Sequence, residues 1–362
     1  MPELSTLPLQ SQHLSRGAVL SELVGFSLPL NYGDATAEHQ SIRNGAGIAD
    51  RSFLAKVEFS GNDAVDYLER MTSNEVGSLQ PGQGCHSTLL TDRGKLVVDF
   101  HLYKFEDRIR IDLDPTRKAP CIEPLEKFII MDDVTVTDVS EQFGIIGVYG
   151  PKSAALLSSV FRLDMPPLTE YRHFEAFFAG EDLMVACRHF TGEDGYEIWA
   201  PVEFLEELFQ GLLEAAPAHD GRLVGSEALN IARVEAGVPL FGYELNDNTI
   251  PNEAGLVYAC SVTKGCYIGQ EIISRIHHLG HVNRQLTGLK FADRLPDEGD
   301  PISDGERKTG TVTSVVQSPS FESGIALSIL RTEHAEIGNK VSVESEGGVI
   351  EAEVVELPFY ST

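Results

Sequence analysis

The chain has 362 residues, 42% of them hydrophobic, and a formal net charge of −27. That apolar content supports a substantial core in two or three domains and excludes a disordered chain. So acidic a surface argues against phosphate backbones as partners, and no run approaches the ~20 apolar residues that cross a bilayer.

The N-terminal stretch MPELSTLPLQSQHLSRGAVL lacks a basic patch followed by an apolar core. It is a poor signal peptide, and the expected location is cytoplasmic. The cysteines Cys85, Cys121, Cys187, Cys260 and Cys266 form no CxxC pair, which fits reduced thiols better than disulfides or a zinc site.

The region before residue 40 reads as a helix and a loop. From Ala55 to Val76, alternation at Val57 and Phe59 predicts a strand, Gly61 and Asn62 a turn, and Ala64, Val65, Leu68 and Met71 a helix. A like unit recurs from Phe143 to Phe161 around a Gly-Pro turn, so two related α+β lobes are expected. Between them lie strand candidates at His86–Leu90, Leu96–Phe105 and Arg108–Leu113, with TDRGK as a hairpin turn. Further strands are expected near Leu183–Arg188 and Tyr196–Pro201. Helices are expected over Val202–Ala215 and from Gly225 until Gly237. Beyond His281 the short strands and turns read as a small β-barrel, with the polar loop Asp293–Lys308 inside it. The expected division is 30–140, 141–280 and 281–362.

Three stretches together resemble the glycine-cleavage T-protein superfamily: FTGEDGYEIWAP, EALNIARVEAGVPLFGYEL and IPNEAGLVYACSVTKGCYIGQE. The octapeptide KGCYIGQE is similar to the YgfZ branch, which includes iron–sulfur assembly proteins. The T-protein proper usually has Phe-Ile-Gly there. The resemblance implies an α+β fold with three domains around a tetrahydrofolate pocket, the third a β-barrel.

It also implies roles for individual residues. Asp99 in RGKLVVDFHLY matches the second acid of a Gly-Gly-x-x-Asp-Asp stretch, where a carboxylate lies beside the folate nitrogens and supplies electrostatic catalysis. The first acid is Val98 here. Tyr103 shares the strand face of Asp99 and packs near the cofactor, or is core. Glu193 and Glu197 in TGEDGYEI are the carboxylates available to a pterin edge. Glu197 is the favoured acceptor, and Glu193 is a turn residue that holds the loop. Trp199 reads as core. Arg233 reaches the glutamate tail of folate, or pairs with Glu235 or Glu227.

Cys266 follows Lys264 in a Gly-containing turn. A neighbouring ammonium would lower its pKa and suit a nucleophile, a redox thiol or a transient metal ligand. The alternative is a small buried hydrophobe. Lys264, Tyr267, Gly269, Gln270 and Glu271 are expected to shape the loop. His277 and His281 have helical metal-ligand spacing, but Gly280 interrupts the helix and no carboxylate completes a set, so no stable metal site is expected.

The leading expectation is a tetrahydrofolate-binding, YgfZ-like protein assisting assembly or repair of iron–sulfur clusters, with assembly or client proteins as partners. The alternative is a tetrahydrofolate-dependent aminomethyltransferase. A non-catalytic folate sensor is the third.

Overall fold

The computed structural model describes residues 4–167, 169–280, 282–305 and 307–361. Strands Gln83–Leu90, Leu96–Lys104, Arg108–Leu113, Ala55–Ser60 and Thr135–Asp138 form an antiparallel five-stranded sheet in that order. The two-residue period of Leu96–Lys104 decides what each face holds. Val98, Phe100 and Leu102 join Val57, Phe59 and the helix Ala64–Met71 in a core. Asp99, His101 and Tyr103 go to the other face.

The second sheet runs His173–Phe178, Glu181–Cys187, Gly195–Pro201, Phe143–Tyr149, Ala46–Asp50 and Gly221–Leu223. Helices Ser153–Phe161 and Val202–Ala215 cover one face, burying Leu157, Leu205, Phe209 and Leu212 against Ile146 and Ile198. Both expected strand–turn–helix units are therefore present. The uncovered faces of the two sheets meet through Tyr103, Phe105, Ile145, Met184 and Trp199. The chain is thus a mixed α/β protein of two lobes with a C-terminal barrel.

That barrel is closed and six-stranded: Arg284–Phe291, Ser323–Arg331, Lys308–Ser318, Pro301–Ser303, Lys340–Ser345 and Gly348–Val355. Its third domain core includes Leu289, Phe291, Val312 and Val343. The chain end returns to the lobes. Leu357 and Phe359 pack with Val234 and Val316, and Tyr360 N–H donates to the Glu235 carbonyl at 2.8 Å.

Three features differ from the sequence reading. The N-terminal region holds more than a helix and a loop: Ser5–Thr6, Phe26–Asn31 and Val19–Leu23 form a small sheet beside helix Gln10–Ser15. Its strands are short and Pro29 sits inside one, so the alternation was too brief to read. The loop Asp293–Lys308 contains the barrel strand Pro301–Ser303. The lobes also exchange segments. Ala46–Asp50 lies in the second sheet, while Leu256, Ala259 and Tyr267 pack on Leu90 and Leu96 of the first.

Candidate functional site

Strand register builds a polar row on the inner face of the first sheet. His86 lies directly opposite His101, and His101 opposite Asp112. The two imidazoles are 4.6 Å apart between ring centroids. His86 Nε2 is 3.1 Å from Asp99 Oδ2, and its Nδ1 is 3.0 Å from the Tyr258 hydroxyl. His101 Nδ1 is 2.8 Å from Asp112 Oδ1, and its ring stacks on Tyr171 at 5.7 Å.

This packing fixes charge. Burial would push the Asp99 carboxyl up, but the hydrogen bond from His86 outweighs it, holding Asp99 below the usual carboxylate range. Burial, reinforced by Arg188 and His86, holds His101 well below an ordinary histidine. At neutral pH Asp99 is therefore ionised and His101 neutral. Burial raises Asp112.

The second lobe contributes two arginines. Gly147 lies opposite Glu197 across the strand pair. A Cβ on Gly147 would stand 2.5 Å from the Tyr149 ring, so this glycine makes room for the ring to fold over and reach Glu197. The Tyr149 hydroxyl donates to Glu197 Oε1 at 2.7 Å. Arg51 Nε and Arg188 Nε each lie 3.7 Å from Glu197, beyond hydrogen-bond range. Arg51 rests on the Phe190 ring at 4.2 Å and Arg188 on Tyr171 at 5.3 Å.

These groups surround a cavity of about 370 Å³. Its polar wall holds Arg51, His86, Asp99, His101, Asp112 and Arg188. Leu28, Phe190, Leu229, Leu240 and Phe241 supply apolar wall. Several buried polar atoms at or beside it have no hydrogen-bond partner among the described residues: Arg51 Nε, Arg188 Nε and Nη1, Asp112 Oδ2 and Glu197 Oε2. Such atoms are costly to leave unmet. Donors and acceptors together suit a flat ligand that presents both, held between apolar walls.

The sequence-predicted residues meet different fates. Asp99 is on the cavity wall. Tyr103 is fully buried in the interface between sheets, edge-on to Trp199 at 6.1 Å, and is not on the wall. Glu197 is fully buried behind the two arginines. Glu193 takes the Tyr360 hydroxyl and lies 3.5 Å from Arg43, so it holds the loop and the chain end. Arg233 touches the cavity, yet its guanidinium is engaged elsewhere. Nη1 donates to Glu244 at 2.9 Å, Nη2 to Ser314 at 2.6 Å and Nε to Asn230 at 2.8 Å. Its partner is Glu244, not Glu235 or Glu227, and its donors are used within the fold rather than on a folate tail.

Cys266 is exposed and is not among the cavity residues. The Lys264 ammonium points inward. It lies 2.9 Å from the Thr72 carbonyl and 3.4 Å from Glu69 Oε1, and also bonds the Asn74 carbonyl. The rest of the octapeptide shapes the loop. The Tyr267 hydroxyl donates to the Ser261 carbonyl at 3.0 Å. Gly269 has φ +85°, and a Cβ there would sit 2.7 Å from the Thr91 carbonyl of the hairpin turn. His277 is on helix Gln270–Leu279, which ends at Gly280, and His281 lies outside the described residues. Among the described residues no cluster of His, Cys, Asp and Glu is arranged to hold a metal.

Sequence reading missed Arg51, His86, His101, Asp112 and Arg188. Asp99 and His101 share a strand face by parity, which was legible. The opposing partners depend on register, which was not.

The GCVT N-terminal domain family matches residues 9–264, and the glycine cleavage T-protein C-terminal barrel domain matches residues 284–361. The chain belongs to the glycine-cleavage T-protein family. An aminomethyltransferase from Halalkalibacterium halodurans is 31% identical, over 99% of each chain. One from Bacillus subtilis is 29% identical, again over 99% of each. The crystal structure of the glycine cleavage system aminomethyltransferase T from Bartonella henselae superposes with a TM-score of 0.90 at 27% identity, covering 99% of this chain and 98% of that one. Membership in the T-protein family accounts for the α/β lobes and barrel together. The relatives carry the transferase name, which favours the alternative expectation over the iron–sulfur one.

Proposed function

We propose that the chain is a tetrahydrofolate-dependent aminomethyltransferase. The observation that carries this reading is the ionised Asp99 on the wall of the central cavity, in a chain that matches aminomethyltransferases from end to end. The cavity residues fit the ligand. A pterin presents an N–H edge and an exocyclic amine, which suit the wall carboxylates Asp99 and Asp112, and a carbonyl, which suits the Arg188 donors that Glu197 holds from behind.

Bound tetrahydrofolate supplies the nitrogens that accept the one-carbon unit. Asp99 orients an N–H at that position and opposes positive charge developing there. Neutral His101 adds no competing cation. Phe190, Leu240 and Phe241 exclude water, which strengthens the field of Asp99.

The test is transfer from a lipoyl-bound aminomethyl donor to tetrahydrofolate. Wild type is expected to turn over, and Asp99→Asn to lose at least about 100-fold in kcat with its melting temperature little changed. No product from wild type would overturn the proposal.

One feature supports a second reading, a YgfZ-like role in iron–sulfur assembly: KGCYIGQE presents Cys266 to solvent. It has the weaker support, since the loop's lysine, tyrosine and glycine serve packing. Full iron–sulfur enzyme activity in cells carrying only the Cys266→Ser protein would remove it.

A further inference from the structure

Asp99 does not end its polar contacts at the cavity wall. A continuous hydrogen-bonded chain leads from it to solvent, and the transfer reaction described above leaves the middle of that chain unused. His86 Nε2 is 3.1 Å from Asp99 Oδ2, and its Nδ1 is 3.0 Å from the Tyr258 hydroxyl. His86 is 6% exposed and Tyr258 is 60% exposed, and Tyr258 stands beside Asp99 and His86 on the cavity wall, where the chain of contacts reaches solvent. The partners come from different parts of the chain. Asp99 is on the neighbouring strand, while Tyr258 is on the short helical turn Leu256–Ala259.

Ionised Asp99 only accepts, so His86 Nε2 carries a hydrogen and donates it. In the neutral imidazole that carries this hydrogen, the Nδ1 lone pair accepts from the Tyr258 O–H. The other groups facing His86 do not compete for its nitrogens. His101 points its Nδ1 at Asp112, 2.8 Å away. Tyr171 meets His86 through its ring at 6.2 Å and hydrogen-bonds Tyr258 through its hydroxyl, Glu170 acts on Tyr258 through its charge, and Arg188 lies against Tyr171.

We propose that His86 is a positioning residue for Asp99 and the middle link of a proton path from Tyr258 to that carboxylate. This rests on the aminomethyltransferase reading. Inward transfer is balanced: Asp99 takes the Nε2 proton, Nδ1 takes the Tyr258 proton, and Tyr258 takes one from hydronium or a buffer acid, which is left as water or its conjugate base. In the reverse sequence a proton that Asp99 takes from the N–H it orients passes out through His86 and Tyr258. One net proton moves, no electrons do, and His86 ends as the opposite tautomer.

The experiment compares wild type, His86→Gln and Tyr258→Phe in the transfer assay across pH 5.5 to 9, beside tetrahydrofolate KM. A glutamine still donates to Asp99 but cannot relay a proton. The expected result for His86→Gln is a KM within about threefold and a kcat lower by about 10- to 100-fold, with the acid limb of the pH profile displaced. Tyr258→Phe, at an exposed position, is expected to fold normally and to lose about 3- to 10-fold in kcat with KM unchanged. Long-range proton–nitrogen NMR of wild type is expected to show His86 protonated at Nε2. Two variants with wild-type kcat and pH profile would overturn the inference, as would an Nδ1-protonated His86. A wild type that transfers nothing would overturn the underlying reading, and the inference with it. Should His86→Gln not fold, Tyr258→Phe and the tautomer decide the matter.

Discussion

Two buried arginines touch the same cavity, and the fold treats them differently. Arg233 spends its donors on Glu244, Ser314 and Asn230. It ties the helix Ser226–Glu235 to the barrel strand Lys308–Ser318. Arg188 stops 3.7 Å short of Glu197, and its Nε and Nη1 make no hydrogen bond among the described residues. A charge that is fully met inside the protein is a structural tie. A charge held in place by aromatic packing, with its hydrogen bonds unmade, is reserved for something that arrives. The same residue type in the same cavity therefore has two roles, and only the geometry separates them.

The sharpest way to break the comparison is to truncate both. Arg233→Met strands Glu244 in the interior and is expected to cost about 3–5 kcal/mol in denaturant unfolding. Arg188→Met leaves Glu197 with Tyr149 and Arg51 beside it, and is expected to cost less than Arg233→Met, because Arg188 makes no hydrogen bond to Glu197 whereas Arg233 is bonded to Glu244. The ranking for tetrahydrofolate affinity is the reverse, with Arg188→Met weaker by at least about 10-fold, a loss of the size a charged hydrogen bond carries. Equal stability losses would mean the two arginines play one role.

The octapeptide loop gives a second contrast. Gly269→Ala forces a Cβ onto the Thr91 carbonyl in a left-handed backbone, and is expected to lower stability by about 1–3 kcal/mol. Cys266→Ser changes an exposed side chain and is expected to stay within about 0.5 kcal/mol, with transfer activity unchanged. Thermal unfolding of the two variants checks both.

Buried histidines set the pH dependence. Burial depresses His101 well below the ordinary value and lowers His173 from 6.5 to about 4. Below pH 6.5 the unfolded chain takes up protons that the folded chain refuses. Their contribution is complete above 6.5 and is lost as the pH falls toward 4. The slope is at most about 1.4 kcal/mol per pH unit for each histidine. Denaturant titrations at pH 7, 6 and 5 are expected to show progressively lower midpoints.

The fold was legible where periodicity ran long enough. The helix Val202–Ala215 and the strand Phe143–Tyr149 stood where apolar spacing put them. The strands Val19–Leu23 and Phe26–Asn31 did not, being short and interrupted. At the site, Asp99 was legible from its motif. Arg188 and Arg51 were not, since each belongs to the cavity only through the approach of Glu197 and an aromatic ring. The direction of Lys264 was not legible for the same reason: two residues from Cys266 in sequence, its side chain turns to the Thr72 and Asn74 carbonyls.

The central claim is that the unpaired polar groups around the cavity exist to hold tetrahydrofolate. Titration calorimetry of tetrahydrofolate against wild type and Arg188→Met tests it most directly. The account predicts saturable one-to-one binding by wild type and at least about a tenfold loss in the variant, which lacks the donors on the cavity wall. No heat from wild type and no competition by folate analogues would contradict it.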